Sequence, residues 1–347
     1  MGWGAGGSLD TPLEGLYTFL EALNLRSHHN NCRSAWCPLY GWTGVSKTAL
    51  REVMFMKAMM LWEPESMELV DLSLRPLRPG EVLLKVEACS ICGSDLEGYH
   101  GQHPKMTLPR VMGHEAASTV AEIGPGVECL SIGDRVAGMG SLSCGECPPC
   151  RAGQTDQCES PLSPGFTAHG AYAERVIGQA RGCTLIPDDV SLIEAAVAQP
   201  AGIANHAVAT RANVQSGEIM LVQGCGPIGL SAMMLAKLRG ATVISTDIVD
   251  YRCDLAQQLG ADVVLNDHRD DVRQAALDLT TGRGLDKVIE CVGGDQDETL
   301  PEAVECVKPG GLVVVVGSLA ENRATLPIVD VKFSEKTVTG SQARPEG

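Results

Sequence analysis

Four cysteines stand within fifteen residues, Cys144, Cys147, Cys150 and Cys158, at C-x2-C-x2-C-x7-C spacing. Thiolates so spaced can all turn inward on one loop and enclose a tetrahedral metal ion, as closed structural zinc sites do. The bacterial iron–sulfur run places its fourth cysteine after three residues and then a proline. Here the fourth comes after seven residues and is followed by Glu159. Disulfides require an oxidising compartment, and a chain of 347 residues needs no such staples. Zinc is the expected occupant. Four thiolates leave no open position, so this metal is expected to stabilise a lobe and perform no chemistry.

A second set of donors lies in "SICGSDLEGYHG" and "VMGHEAAS": Cys92 as a thiolate ligand, His114 as an imidazole ligand, and Glu115 as an oxygen ligand or a neighbour exchanging with water. Three protein ligands and an open position describe a catalytic zinc. Ser94 offers a hydroxyl that can donate and accept in a proton chain. Alone, a cysteine and a histidine this far apart are a weak signal, because buried cysteines and satisfied core histidines outnumber ligands.

A third constellation is "GCGPIG", Gly224 to Gly229, with Pro227 and Ile228 inside it. Gly224 suits a tight turn, Gly226 lets the backbone approach a pyrophosphate, and Gly229 lets a helix pack on a strand. Asp247 follows Gly224 by 23 residues, where a carboxylate accepts hydrogen bonds from an adenosine ribose and repels a 2′-phosphate. NAD is therefore expected over NADP, with Arg252 the one nearby group arguing otherwise. Val292 and Gly317, which follow the apolar runs "KVIEC" and "GLVVVV", complete the expected cofactor set.

These residues need a scaffold. From Met56, short β-rich runs broken by Pro and Gly read as a small antiparallel barrel. From about Glu218 the pattern alternates: strand "EIMLVQ", helix "SAMMLAKLRG", strand "ATVISTDIV", helix "DYRCDLAQQLG", strand "DVVLND", helix "DVRQAALDLTT", then strands "KVIECVG" and "GLVVVVG". Strand–helix alternation predicts a parallel, doubly wound sheet. The expected division is an N-terminal extension over 1–55, a zinc-binding catalytic domain over 56–205 and a nucleotide-binding domain over 206–347. The extension carries one short helical pattern in "LEGLYTFLEALNL", and its His28, His29, Cys32 and Cys37 are too unevenly spaced for a metal site. Met54 or Met56 is a candidate start for the functional part.

Composition narrows the function. A hydrophobic fraction of 44% supplies two cores, and a net charge of −16 repels phosphate backbones, which argues against nucleic-acid partners. The cysteines outside the cluster are scattered among apolar runs, as reduced buried thiols are, so a cytoplasmic setting fits. No apolar run approaches the roughly twenty residues needed to span a bilayer, and the N-terminus lacks the marks of a signal peptide.

Taken together, "CGSD" at 92–95, "GHE" at 113–115, "GDRV" at 133–136, the four-cysteine run, "GAYAE" at 170–174 and "GCGPIG" stand in one order from Met56 to about residue 340. In this the chain resembles the zinc-dependent medium-chain alcohol dehydrogenases, the sorbitol, threonine and butanediol dehydrogenase branch above all. The resemblance implies a GroES-like β-rich catalytic domain followed by a Rossmann domain. It implies a catalytic zinc on Cys92, His114 and Glu115, and a substrate hydroxyl bonded to Ser94 at the head of a proton relay. Asp95 braces the metal shell. Zinc then acts as a Lewis acid on a secondary alcohol or polyol, whose hydride passes to C4 of the nicotinamide of NAD. Relatives are commonly dimers or tetramers, which makes "GLVVVVG" a candidate pairing strand.

Three departures bear on activity. The polyol branch usually has Glu-Pro where this chain has Gln199-Pro200, and an amide oxygen can coordinate zinc but brings no charge. Many relatives carry a relay histidine at the position of Leu96 or Glu97; His100 is displaced from it, and Glu97 could accept the proton instead. After "GSQARPEG" the family normally adds more sheet and helices that close the substrate cleft, so the C-terminal part is expected to be truncated, with an exposed sheet edge. The competing reading is therefore a dehydrogenase-like protein that binds zinc and nucleotide without turnover. A zinc-free quinone or enoyl reductase would need neither cysteine set, and a zinc-ribbon nucleic-acid module is discouraged by the acidic charge.

Overall fold

The computed structural model describes residues 55–142, 144–152, 154, 158–294, 296–318 and 323–342. The reading of 1–54 lies outside the described residues. The chain divides into two compact units, with the boundary between Ala198 and Gln199.

The first unit is antiparallel and β-rich. Strands β1 (Phe55–Glu63), β2 (Ser66–Ser73) and β4 (Arg110–Val111) form one sheet in the order β2-β1-β4. Strands β3 (Glu81–Ser90), β5 (Glu115–Ile123), β6 (Arg135–Ala137), β7 (Arg175–Gln179) and β8 (Thr184–Leu185) form a second, ordered β7-β3-β5-β6-β8. Helix α1 (Gly93–Tyr99) follows β3, and two single turns, α2 (Pro148–Arg151) and α3 (Leu192–Ala195), stand later in the unit. Val82 and Leu84 of β3, Ala116 and Val120 of β5, and Val176 of β7 alternate into one core. This is the period-two pattern of a sheet with one buried face.

Helix α4 (Ala198–Asn205) starts at that boundary, and the second unit is built on a parallel sheet. Its strands are β9 (Ile219–Gln223), β10 (Thr242–Asp247), β11 (Val263–Asn266), β12 (Leu285–Glu290), β13 (Val307–Val315) and β14 (Thr337–Gly340), in the order β11-β10-β9-β12-β13-β14. Helices α5 (Pro227–Leu238), α6 (Asp250–Gln258), α7 (Val272–Leu279), α8 (Thr299–Cys306) and α9 (Ile328–Phe333) join them. Apolar residues on both faces of the central strands are buried because both faces are covered. Met220, Val222, Val243, Ile289 and Val314 pack on one side with Met233 and Ala236 of α5. Their neighbours Leu221, Ile244, Val288 and Val313 pack on the other with Val272 of α7 and Val304 of α8.

Among the described residues β14 pairs in parallel with β13 and gives a six-stranded sheet in the 3-2-1-4-5-6 order of a doubly wound dinucleotide fold. Leu312–Val315 of "GLVVVVG" lie between β12 and β14, so among the described residues the edges of the sheet are β11 and β14. The run of two strands from "KVIECVG" to "GLVVVVG" misses α8 between them.

Candidate catalytic metal site and cofactor turn

Strand register builds the first site. Ser90, the last residue of β3, pairs with Glu115, the first of β5. Cys92 lies two residues beyond Ser90 and His114 one before Glu115, so pairing the strands brings Cys92, His114 and Glu115 together. Their donor atoms lie within 4.8 Å of one another, with Glu115 buried and the other two half-buried. Gly113 makes the turn into His114 at a φ of +87°. A Cβ there would stand 2.6 Å from Cδ1 of Tyr172, so only glycine fits.

Asp95 ties the ligand segments together. Its Oδ2 accepts from the backbone N–H of Cys92 at 2.9 Å, which caps α1, and its Oδ1 accepts from Gly113 N–H at 3.2 Å. Oδ1 also lies 3.5 Å from Nδ1 of His114, a Coulombic contact too long for a good hydrogen bond. Nδ1 is buried and has no nearer partner. Burial disfavours a charged ring, yet Asp95 and Cys92 beside it push the pKa of His114 up to about 10. Thiol and carboxylates draw positive charge to this point, and a divalent metal bound in place of the imidazole proton would supply it. Ser94 stands half-buried on the first turn of α1, and the ring of Phe166 lies 4.7 Å from that of His114 and 4.7 Å from that of His103. Gln199 is half-buried on α4, in the second unit.

The other cysteines form the second donor set. The sulfurs of Cys144, Cys147, Cys150 and Cys158 lie within 4.8 Å of one another, and Cys144 and Cys150 are 3.9 Å apart. A tetrahedron with zinc–sulfur bonds of about 2.3 Å has edges of about 3.8 Å. All four thiols are free, which sets the disulfide reading aside. Backbone N–H groups of Glu146 and Cys147 both point at Cys144 Sγ from 3.4 Å and draw its pKa down to about 6, as a thiolate ligand requires. Pro148 opens the single turn that presents Cys147 and Cys150 to the same centre.

At the sheet, Gly224 turns with a φ of +87° and Gly226 caps α5 with open space around its Cα. Pro227 occupies the first helical position, where its missing N–H costs nothing, and Ile228 follows in the first turn. A Cβ on Gly229 would lie 1.7 Å from the carbonyl oxygen of Gly224, so the third glycine is obligatory. Asp247 ends β10 and is 7% exposed. Its Oδ2 accepts from Cys225 N–H at 2.8 Å and its Oδ1 from Val249 N–H at 2.9 Å, which holds the carboxylate against the glycine turn. Arg252 reaches the same carboxylate at 3.5 Å. Val292 and Gly317 meet at the carboxyl ends of β12 and β13, where a Cβ on Gly317 would stand 1.9 Å from Val292 O.

Sequence reasoning missed three groups. Tyr172 donates its hydroxyl to Asp95 Oδ2 at 3.0 Å. Phe166 forms an aromatic wall beside His114. Glu290, fully buried, accepts from Val292 N–H at 2.9 Å and from the Gln296 amide at 2.7 Å, and its backbone oxygen accepts from Gly317 N–H at 3.1 Å. A glutamate directly after the buried pair Val288 and Ile289, at the end of β12, was the available signal for the last.

Comparison with known proteins agrees with this geometry. Residues 78–188 match the alcohol dehydrogenase GroES-like domain, and residues 227–345 match the zinc-binding dehydrogenase family. The chain is 36% identical over 282 residues to an L-threonine 3-dehydrogenase of Pyrococcus horikoshii, covering 80% of each. It is 34% identical over 290 residues to an alcohol dehydrogenase of Geobacillus stearothermophilus, covering 82% of this chain and 84% of that one. A zinc-binding dehydrogenase from Sinorhizobium meliloti, solved with NADP, superposes with a TM-score of 0.75 at 32% identity, covering 84% of this chain and 85% of that one. The chain belongs to the zinc-dependent medium-chain alcohol dehydrogenase family.

Proposed function

We propose that the chain oxidises a secondary alcohol or polyol with NAD, using Cys92, His114 and Glu115 to hold a catalytic zinc and Cys144, Cys147, Cys150 and Cys158 to hold a structural one. One observation carries this reading: the convergence of Cys92, His114 and Glu115 donors within 4.8 Å around a buried, unpartnered imidazole nitrogen. Zinc supplies a Lewis acid that makes an alcohol hydroxyl more acidic, and NAD supplies the hydride acceptor.

The chain's own residues do the rest. Ser94, on the helix turn that follows Cys92, takes the proton of the substrate hydroxyl and passes it outward. Asp95 holds the Cys92 and Gly113 segments at one spacing. The open space at Gly226 admits a pyrophosphate to the N-terminus of α5, and Val292 and Gly317 line the crevice where the strand order reverses between β9 and β12. Asp247 keeps lone pairs for the ribose hydroxyls of NAD, and its negative charge opposes a 2′-phosphate. The hydroxyl oxidised by a threonine 3-dehydrogenase is itself a secondary alcohol, so L-threonine belongs with the polyols in the substrate class.

The test is formation of NADH by the zinc-loaded chain with L-threonine, butanediols, sorbitol and simple secondary alcohols, each repeated with NADP. Turnover with NAD on at least one of these supports the reading. No turnover across the panel, with both zinc sites filled and NAD bound, would mean a protein that binds both and oxidises neither class.

A further inference from the structure

We propose that Tyr172 is a positioning residue for the catalytic metal, its hydroxyl fixing the Asp95 carboxylate that sets the spacing of Cys92 and His114. The proposal rests on the reading of Cys92, His114 and Glu115 as that metal's ligands.

Tyr172 touches both ligand segments. Its hydroxyl lies 3.0 Å from Asp95 Oδ2 and 3.4 Å from Ser90 O. One hydroxyl has one proton, and the shorter contact to the charged acceptor takes it. Its ring lies on Gly113, where any side chain would strike Cδ1 and Cε1. The residue is itself pinned: Tyr172 N–H donates to Met112 O at 2.9 Å and Tyr172 O accepts from Met59 N–H at 2.8 Å. The phenol therefore comes from a fixed backbone and does not follow Asp95 wherever it turns.

Asp95 needs such a fixed donor. The residue is 2% exposed, and its two oxygens serve Cys92 N–H and Gly113 N–H, one on each ligand segment. A carboxylate that turns about its last bond exchanges those partners or lengthens them. Ligand geometry would then loosen while strands β3 and β5 stay paired. Outer partners of metal ligands are worth roughly 10-fold to 100-fold in metal affinity. The four-cysteine centre, which includes neither Tyr172 nor Asp95, stands as an internal control in the same unit.

The experiment follows zinc release from the purified, zinc-loaded chain under excess chromogenic chelator, in wild type, Tyr172→Phe, Asp95→Asn and the double variant, with Cys92→Ser and Cys144→Ser to assign the phases. Cys92→Ser should abolish one phase and Cys144→Ser the other. If Cys92→Ser leaves both phases intact, the ligand reading itself is wrong. Given the assignment, Tyr172→Phe should speed the Cys92 phase at least 10-fold, leave the other unchanged, and add nothing to Asp95→Asn. An unchanged Cys92 phase overturns the proposal. So does equal acceleration of both phases, which would mark a general loosening of the unit, and so does a full effect of Tyr172→Phe in the Asp95→Asn background, which would mean that Tyr172 does not act through Asp95.

Discussion

Ser90 and Glu115 face each other across β3 and β5, and that one pairing brings Cys92 beside His114 and Glu115, candidate ligands that stand 22 and 23 residues further along the chain. A site built on strand register is sensitive to anything that shifts the short links beyond the paired residues. Cys92 is two residues past one end of the pair and His114 one residue before the other.

Gly113→Ala tests that sensitivity. The added Cβ meets Tyr172 Cδ1 at 2.6 Å and sits at a φ of +87°, so both sterics and backbone oppose it. The strain costs about 1–3 kcal/mol and displaces His114. Turnover should fall at least 10-fold, and zinc analysis should show loss at the Cys92 site with the four-cysteine site retained.

Gly229→Ala should act on the cofactor alone. Its Cβ would sit 1.7 Å from Gly224 O, which forces α5 off β9 at the point of pyrophosphate contact. NAD should no longer raise the melting temperature, while both zinc ions stay bound.

Asp247→Ser should relax cofactor choice. The substitution removes the charge that opposes a 2′-phosphate and leaves Arg252 free to pair with it, since Arg252 now sits 3.5 Å from Asp247. The ratio of kcat/KM for NAD to that for NADP should fall at least 10-fold, with most of the change in KM.

Glu290 links pH to stability. Burial pushes its pKa up to about 7, against the pull of the Val292 N–H and the Gln296 and Thr299 side chains, from an ordinary value of 4.5. Between those values the folded chain holds a proton that the unfolded chain has released, so stability falls as pH rises through the window, by at most about 1.4 kcal/mol per unit. Glu302 behaves the same way: burial first, and Asp267 next, push it up to about 7. The melting temperature should drop between pH 5 and pH 7.5, and Glu290→Gln should flatten that drop.

Legibility in the sequence followed the range of the contacts. The four-cysteine centre and the glycine turn are local, so residue types and spacing alone point to their chemistry, and Asp247 lies where the strand after the turn ends. The catalytic set is half local: Cys92 to Asp95 form one helix turn, but their meeting with His114 depends on a strand pairing that spacing does not display. Tyr172 and Asp95, 77 residues apart, are joined only by tertiary packing. Helix α8 was hidden because Pro301 sits in its first turn, a position proline tolerates although it reads as a breaker. Strand β14 is four residues of "TVTG", too short and polar to signal itself, and its place comes from pairing with the apolar β13.

The most direct test of the account is Cys92→Ser, assayed for zinc per chain and for NADH formation on the best substrate of the panel. The two donor sets predict two zinc ions in wild type. The variant should retain one, keep its NAD-dependent rise in melting temperature, and lose turnover by about 1,000-fold or more, the scale of a lost electrostatic catalyst. A variant that keeps both zinc ions, or that turns over at the wild-type rate with one, would contradict the assignment of Cys92 to the catalytic metal.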